Sequence, residues 1–258
     1  TGAQILRRID DMDRERVLPQ YVQDIFDTLK LLDIPWQQGP DNYLDFVHHY
    51  SQHCRMTFYH NALQLLWQSG RVYACTCSRT AIARMGGIYN GACRHKALPP
   101  DTPDACWRLN TDGAGDVPMK TLTGLISCPF PADMQHFVVR RRDGLPAYQL
   151  SSVADDVHFG VDLVVRGQDL FSSTVAQLYL ASLMGAHFFG KTTFYHHSLV
   201  TGGNGQKLSK SAGALSVRQL SNGYTHASGV YEAISALTSM PVAERWQQIG
   251  DALLKDVL

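Results

Sequence analysis

An α/β fold is what the sequence predicts, on three observations. Apolar runs of strand length alternate with stretches of helical period through most of the chain. One of those runs, VDLVVRG, is apolar nearly throughout, as a strand covered on both faces would be. At 258 residues, 45% apolar and 18% charged, the chain can fill a real core and is not a disordered composition.

The elements follow in order. AQILRRIDD carries Ile5 and Leu6 ahead of two acids and predicts a short buried strand followed by a loop. In YVQDIFDTLKLL, Val22, Ile25, Phe26 and Leu29 recur at i, i+3, i+4 and i+7, one face of a helix. GPDNYLDF predicts a loop leading to a second helix over 51–69, with Met56, Tyr59, Leu63 and Leu66 on its buried side and Gly70 ending it. RVYAC predicts a strand. Residues 96–118, rich in Pro, Asp, Thr and Gly, predict loops around one short strand, CWRLN.

FVVRRRDGLPAYQLSSVADD predicts two strands around an Asp143-Gly144 turn, and VDLVVRG a buried strand. SSTVAQLYLASLMG predicts a helix capped by Ser172 or Ser173 and closed by Gly185. TTFYHHSLV is a further strand, and from 215 on the pattern is helical. Neither a repeat nor a low-complexity tract interrupts this order.

Charge narrows the function less than it does for many proteins of this size. Lys+Arg and Asp+Glu are 23 each, so any basic surface has to be local. The one tight basic run is Arg140, Arg141 and Arg142, which would serve either as a phosphate contact or as a solvated strand end. With no apolar run of about 18 residues and no signal-like start, a cytoplasmic protein without a membrane span is expected. The six cysteines do not read as a disulfide set, since a cytosol keeps thiols reduced.

Three of those cysteines, Cys75, Cys77 and Cys93, crowd into YACTCSRTAIARMGGIYNGACRHK. Zinc takes four ligands at tetrahedral corners and accepts thiolates. Three cysteines supply three corners, and Tyr89, His95 or water would supply the fourth; the alternative is three free or buried thiols. Such an ion would be structural, pinning a small knob without a core of its own. The Cys-x-Cys spacing does not match a redox Cys-x-x-Cys.

NGQKLSKSAG, residues 204–213, places Lys207 and Lys210 on a glycine-rich segment. Lysine is a compact charge on a long stem, suited to following a phosphate as charge moves, and glycines let a loop open and close. Taken alone, the same segment is equally an ordinary solvated loop.

The motifs together resemble one family. KLSKS at 207–211 resembles the KMSKS signature of class I aminoacyl-tRNA synthetases. VVRGQDLFSSTVAQLYL, RRDGLPAYQLSSVADD and RIDDMDRERV resemble, in the same order, segments of glutamyl-tRNA synthetases. GGIYNGACR and the Cys-x-Cys ahead of it are similar to a short branch, the glutamyl-Q tRNA(Asp) synthetases, which lack the anticodon-binding domains. The resemblance runs from about residue 5 to 213, and only 47 residues follow Ser211.

The resemblance implies a Rossmann-like class I nucleotide fold with an inserted zinc-containing subdomain and a short helical C-terminus. The implied division is 1–70 and 136–213 for the two parts of the catalytic domain, 71–135 for the zinc-binding insert, and 214–258 for the helical end. It implies a ligase that activates L-glutamate with ATP and Mg2+ and passes it to queuosine in the anticodon of tRNA(Asp), and a monomer. Carried over by motif, Asp10, Tyr148 and Arg166 bind glutamate. Lys207, Leu208, Ser209, Lys210 and Ser211 bind ATP, with Lys207 and Lys210 catalytic, and Cys75, Cys77, Tyr89 and Cys93 hold Zn2+.

The chemistry of these residue types is sensible. Cations on a leaving pyrophosphate lower the barrier by electrostatics. An Arg can grip a carboxylate through two parallel hydrogen bonds. Two departures accompany the resemblance. Asp10 stands where the family has a glutamate, one methylene longer. The family's opening strand and HIGH-type helix, on the order of 30 residues, would precede residue 1; without them the ATP site would be half formed and an apolar sheet seam would be exposed. The competing expectations are a general glutamyl-tRNA synthetase cut at both ends and a catalytically inactive, zinc-pinned tRNA-binding relative.

Overall fold

The computed structural model describes residues 3–84, 86–199, 217–221, 225–238 and 240–257. The chain divides into two compact units, one formed by Thr1–Cys54 with Leu199–Leu258 and the other by Arg55–Ser198.

In the first unit the strand expected at Ile5 and Leu6 is a single parallel bridge, Leu6 to Gln38. Two apolar residues are too few to cover a strand, and Ile5 is left exposed. Helix α1, Pro19–Leu31, begins with proline at its first position, where a missing N–H costs nothing. Its Val22 and Phe26 pack with Ile9 and Phe46. The segment expected to be a loop before the second helix is itself helical. Asn42 caps a turn, α2 (Tyr43–Asp45), by accepting the Asp45 N–H, and the chain continues as π-helix through Phe46–Tyr50.

Asp11 then fixes the next corner. Its carboxylate accepts the Ser51 hydroxyl at 2.5 Å and the Gln52 N–H at 2.7 Å. Gln52 Oε1 accepts the Met12 N–H in return.

The second unit opens with α3 (Met56–Gln68), whose Tyr59, Leu63 and Leu66 are buried as expected. A three-stranded antiparallel sheet follows, in the order β1 (Val72–Cys75), β2 (Cys106–Leu109), β5 (Val138–Arg140). Between β1 and β2 lies the short helix α4 (Arg79–Arg84). A second sheet has the order β4-β3-β7-β6, built from β3 (Val117–Thr121), β4 (Gly124–Cys128), β6 (Leu163–Gly167) and β7 (Thr193–His197). Its β3–β4 pair is antiparallel, and its β3–β7 and β6–β7 pairs are parallel. The β3–β4 hairpin has no counterpart in the sequence prediction, because Pro118 and Gly124 mask its alternation.

Two predicted strands are corrected. The segment after Asp143-Gly144 is not a strand but helix α5, Tyr148–His158. The turn itself forms, with Gly144 at φ +86° and Arg141 N–H donating to Leu145 O at 2.8 Å. The ladder stops at an Arg140–Pro146 bridge, since proline has no N–H to extend it. Leu150, Val153 and Ala154, all buried, are the i, i+3, i+4 stripe that makes the segment helical.

Strand β6 forms where expected but is not buried. It lies at the sheet edge, with Leu163 43% and Val165 59% exposed. Helix α6, Phe171–Leu183, links β6 to the parallel β7 and buries Val175, Ala176, Leu178, Leu180 and Ala181. Each large aliphatic among them is worth roughly 1.5–3 kcal/mol. Its N-cap is Leu170 with no side-chain cap, not Ser172 or Ser173; Ser173 instead accepts from Gln149.

An ion pair ties α3 to α5. Asp155, fully buried, accepts Arg55 Nε at 2.8 Å, Arg55 Nη2 at 3.1 Å and the Tyr59 hydroxyl at 2.5 Å.

The first unit is completed by α7 (Val217–Leu220), α8 (Ser228–Thr238) and α9 (Trp246–Val257). Val230 and Tyr231 pack on Leu32, and the Tyr231 hydroxyl donates to Leu32 O. No helix among the described residues is long and apolar enough to cross a membrane.

Candidate functional site

The cysteine cluster is assembled in the second unit. Cys75 ends β1, and two residues later the chain presents Cys77. Tyr89 and Cys93 return from the glycine-containing loop beyond α4. Gly91 has φ +78°, and a Cβ there would come within 3.0 Å of His136 Nε2. The loop therefore needs glycine both for its backbone angle and for its closeness to His136.

The Sγ atoms of Cys75, Cys77 and Cys93 all lie within 4.8 Å of one another, and Cys77 and Cys93 are 3.5 Å apart. The Tyr89 hydroxyl is 3.3 Å from Cys75 Sγ and accepts the Cys93 N–H at 2.8 Å. Tetrahedral zinc with Zn–S of about 2.3 Å sets its sulfur ligands about 3.8 Å apart, so the donors stand at the spacing of coordination corners. His95, the other candidate corner, is exposed and its Nε2 is engaged by Arg94.

The protons in the pocket argue the same way. A hydrogen bond from Cys106, then Tyr89 and the Cys77 backbone, pull the Cys75 thiol far below its ordinary value. Burial first, then Cys93, push the Cys77 thiol up to about 11. Burial and Cys75 push the Tyr89 phenol upward. The pocket thus tolerates one thiolate and resists a second. A divalent cation would relieve that resistance by drawing off the remaining protons. Cys75, Cys77 and Cys93 could hold a metal ion.

Three residues outside the expected ligand set support this knob. Arg142 donates to the carbonyls of Thr76, Cys77 and Asp104. The Arg108 guanidinium lies 4.0 Å over the Tyr89 ring and donates to His136 O. Cys106 faces Cys75 directly across the β1–β2 ladder. The basic run is accordingly structural in large part, for Arg141 pairs with Asp143 and Arg140 sits 5.0 Å over Trp107.

The residues expected to bind glutamate are distributed between the units. Asp10 belongs to the first, and its carboxylate takes Arg8 Nε at 2.7 Å. Tyr148 and Arg166 belong to the second. Tyr148 is the first residue of α5 and is 44% exposed. Arg166 lies next to the carboxyl end of β6, and its Nη1 donates to Gln177 Oε1 on α6 at 2.8 Å.

The two positions are coupled through packed helices. α5 packs against α6, and Gln149, the neighbour of Tyr148, donates to Ser173 Oγ one turn before Gln177. Across the ladder from Arg166, His196 shares a 2.8 Å hydrogen bond with Thr174 Oγ1. Burial, then the charge of Arg166, lower the pKa of His196. The predicted ATP-binding residues Lys207, Leu208, Ser209, Lys210 and Ser211 lie outside the described residues.

Gln177 and Thr174 were hidden in the sequence as polar members of an apolar helix. Their one signal was that a fully buried face contained two groups in need of partners.

Comparison with known proteins places these features. Residues 1–227 match the family described as tRNA synthetases class I (E and Q), catalytic domain. A glutamyl-Q tRNA(Asp) synthetase of Dechloromonas aromatica is 37% identical over 226 residues, covering 84% of this chain and 71% of that protein. One of Geobacter sulfurreducens is 38% identical over 231 residues, covering 84% and 68%. A glutamate–tRNA ligase of Desulfosudis oleivorans is 32% identical over 227 residues, covering 84% of this chain but 46% of that protein.

Among solved structures, a glutamate–tRNA synthetase of Elizabethkingia anophelis superposes with a TM-score of 0.65 at 21% identity, a likeness of fold. It covers 82% of this chain, which spans about half (47%) of that protein. The βαβ segment from β6 to β7 and the mixed sheet around it agree with that fold. The chain belongs to the class I tRNA synthetases for glutamate and glutamine, a family of ligases, and matches their catalytic domain.

Proposed function

We propose that this protein activates L-glutamate with ATP, forming glutamyl-adenylate and releasing pyrophosphate, and transfers the glutamyl group to queuosine in the anticodon of tRNA(Asp). The observation that carries the reading is the placement of Arg166. It stands near the carboxyl end of a parallel strand, where open α/β sheets bind ligands, with its guanidinium anchored by a neutral amide. A guanidinium so held can pair with the side-chain carboxylate of glutamate. Tyr148, exposed at the start of α5, offers a hydroxyl to the same substrate.

In the activation step the α-carboxylate of glutamate attacks the α-phosphorus of ATP, and the bond to the bridging oxygen of pyrophosphate breaks. Lys207 and Lys210, with Mg2+, would offset the charge that grows on the leaving oxygens. In the transfer step a hydroxyl of the cyclopentene diol of queuosine attacks the acyl carbon and gives up its proton, and AMP leaves. Cys75, Cys77, Cys93 and Tyr89 would hold zinc as a structural ion that keeps the knob folded and takes no part in either step. We expect the protein to act as a monomer in the cytoplasm.

Likeness to a glutamate–tRNA ligase keeps a second reading in play, in which the acceptor is the 3′ end of tRNA(Glu). Glutamate-dependent ATP–pyrophosphate exchange by the full-length protein tests the activation. Labelled glutamate offered with tRNA(Asp) carrying or lacking queuosine, and with tRNA(Glu), tests the transfer. Labelling restricted to queuosine-containing tRNA(Asp) is the expected result. Labelling of tRNA(Glu) would replace this reading with the second, and failure of exchange would end both.

A further inference from the structure

We propose that a groove in the second unit, between α3, the end of β5 and the turn that carries Asp101, binds the base of the acceptor nucleoside, a guanine-type base presented by single-stranded RNA. The proposal rests on the reading of queuosine in tRNA(Asp) as the acceptor, and it names the side chains that receive the base.

The groove has a volume of about 530 Å³, and every residue lining it lies between Met56 and Leu145. Sites for small organic ligands span about 300–1,000 Å³. Its foundation is Trp107, buried against Trp67 with ring centroids 4.6 Å apart. Trp107 holds two walls. Its indole N–H donates to Pro100 O at 2.9 Å, and Thr102 N–H donates to Pro99 O at 3.2 Å, so Asp101 stands on a fixed turn. On the other side the Arg140 guanidinium carbon lies 5.0 Å from the centre of the Trp107 ring, within reach of cation–π attraction.

Gly144 makes room for that guanidinium. Its φ is +86°, and a Cβ there would come within 3.3 Å of Arg140 Nη2. Among the described residues Arg140 makes no ion pair and no side-chain hydrogen bond, and the exposed Asp101 makes none either. Asp143, the other carboxylate of the groove, is engaged by Arg141 and by the Leu145 N–H. His60 and Gln64, exposed and four residues apart on α3, add two polar groups on the helix wall.

The groove thus presents one set of donors without a partner, on Arg140, and one acceptor without a partner, on Asp101. A phosphate would be drawn by the first and repelled by the second. A guanine-type base satisfies both, because its O6 accepts while its N1–H and 2-amino group donate. Unstacked bases of single-stranded RNA are held in this way, by hydrogen bonds to their edges and by stacking on aromatic rings or guanidinium planes. Queuosine carries a 7-deazaguanine and presents that same edge, while its cyclopentene diol hangs from the five-membered ring, away from it. The Asp143-Gly144 wall continues through Pro146 and Ala147 into Tyr148, so the base is seated on the segment that leads to the proposed glutamate site. Adenine reverses the pattern, with an acceptor where guanine donates and a donor where guanine accepts. The groove therefore acts on the choice of base.

The test measures binding of the full-length protein to tRNA(Asp) transcripts with guanine or adenine at the queuosine position, at one fixed salt concentration. The parent is expected to prefer the guanine transcript about tenfold, the worth of one well-paired base edge. Asp101→Ala removes the acceptor from an exposed turn and is expected to bring that preference to within about twofold of unity. Arg140→Lys keeps the charge and loses the planar fork, and it is expected to reduce the preference as well. The ratio is its own control, since a partly unfolded sample binds both transcripts less. GMP is offered as a competitor to separate a free nucleotide from RNA.

A parent without preference, or a preference kept in both variants, overturns the proposal. A parent that binds GMP as tightly as the guanine transcript assigns the groove to a free nucleotide and overturns it too. Should Arg140→Lys fail to fold, Asp101→Ala decides alone. If the parent labels tRNA(Glu) and not tRNA(Asp) in the transfer assay, the acceptor reading has failed and the groove falls with it. If it labels tRNA(Asp) while both variants keep the parental ratio, only the groove is lost.

Discussion

The cysteine knob and the β6–α6–β7 unit are built on opposite principles. In the knob the four candidate donors fall within 19 residues of sequence, and their atoms already stand at coordination distances. The supports around them, Arg142 on backbone carbonyls and Arg108 on the Tyr89 ring, hold a shape. In the β6–α6–β7 unit a strand end and a helix middle meet in the Arg166–Gln177 hydrogen bond, and what is held there is a charge. A region that serves stability can be local and self-contained. A region that must meet a substrate draws its parts from several elements so that each can be aimed separately.

That contrast makes separable predictions. The largest effect belongs to the knob. Cys93→Ser is expected to take bound zinc from about one per chain to near zero and to lower the melting temperature, as for other sites where metal binding is folding energy. Metal analysis and thermal unfolding measure it. KM for glutamate in material that remains folded should change less than about twofold. A variant that loses its metal and its glutamate affinity together would merge the two regions and break the comparison.

The β6–α6–β7 unit supplies the next effect. Arg166→Ala removes one side of a charge pair with the substrate, which costs on the order of 2–5 kcal/mol and so about 30-fold or more in kcat/KM for glutamate. Zinc content should stay at the parental value. Tyr148→Phe is expected to cost less, about 1 kcal/mol or fivefold, since a single hydroxyl at a half-open position is lost. The exchange assay measures both, and the order Arg166 above Tyr148 is the point at risk. A larger loss for Tyr148→Phe would mean that orientation, not charge, governs recognition.

How much of this was legible in the sequence divides along the same line. The knob was readable because its signal is local: spacing of Cys75, Cys77 and Cys93 with glycines between them, Tyr89 being singled out only by the family resemblance. The parallel strands β6 and β7 and the helix between them were readable from apolar patterning. The second strand expected after Asp143-Gly144 was not there, because a good turn was taken as proof of a hairpin, while Pro146 stops the ladder and the stripe of Leu150, Val153 and Ala154 has helical period.

The exposure of β6 was also out of reach from that stretch alone, since an apolar run says nothing of which neighbour it lacks. Gln177 was invisible for a related reason. A polar residue inside an apolar helix declares its role only when its partner, 11 residues away in sequence, is seen beside it.

The smallest expected effect concerns pH and sharpens the β6–α6–β7 side of the comparison. His196 has its pKa lowered by burial first and by the neighbouring charges of Arg166 and His197. A lowered histidine is neutral in the fold and binds a proton more readily once unfolded. Its contribution to stability is therefore complete above the unfolded value of about 6.5 and declines as pH falls from there toward the lower folded value. His136, also lowered by burial, acts in the same direction, whereas Asp45, whose pKa is depressed, acts only in the carboxylate range below.

Urea unfolding at about pH 7.5 and about pH 5 should show the parent losing stability on acidification, and His196→Gln losing less. The Gln amide nitrogen reaches the position of His Nε2 and can donate to Thr174 Oγ1, so the comparison isolates the proton from the contact. An unchanged pH slope in that variant would place the titration on another histidine and would leave His196 as a hydrogen-bonding group alone.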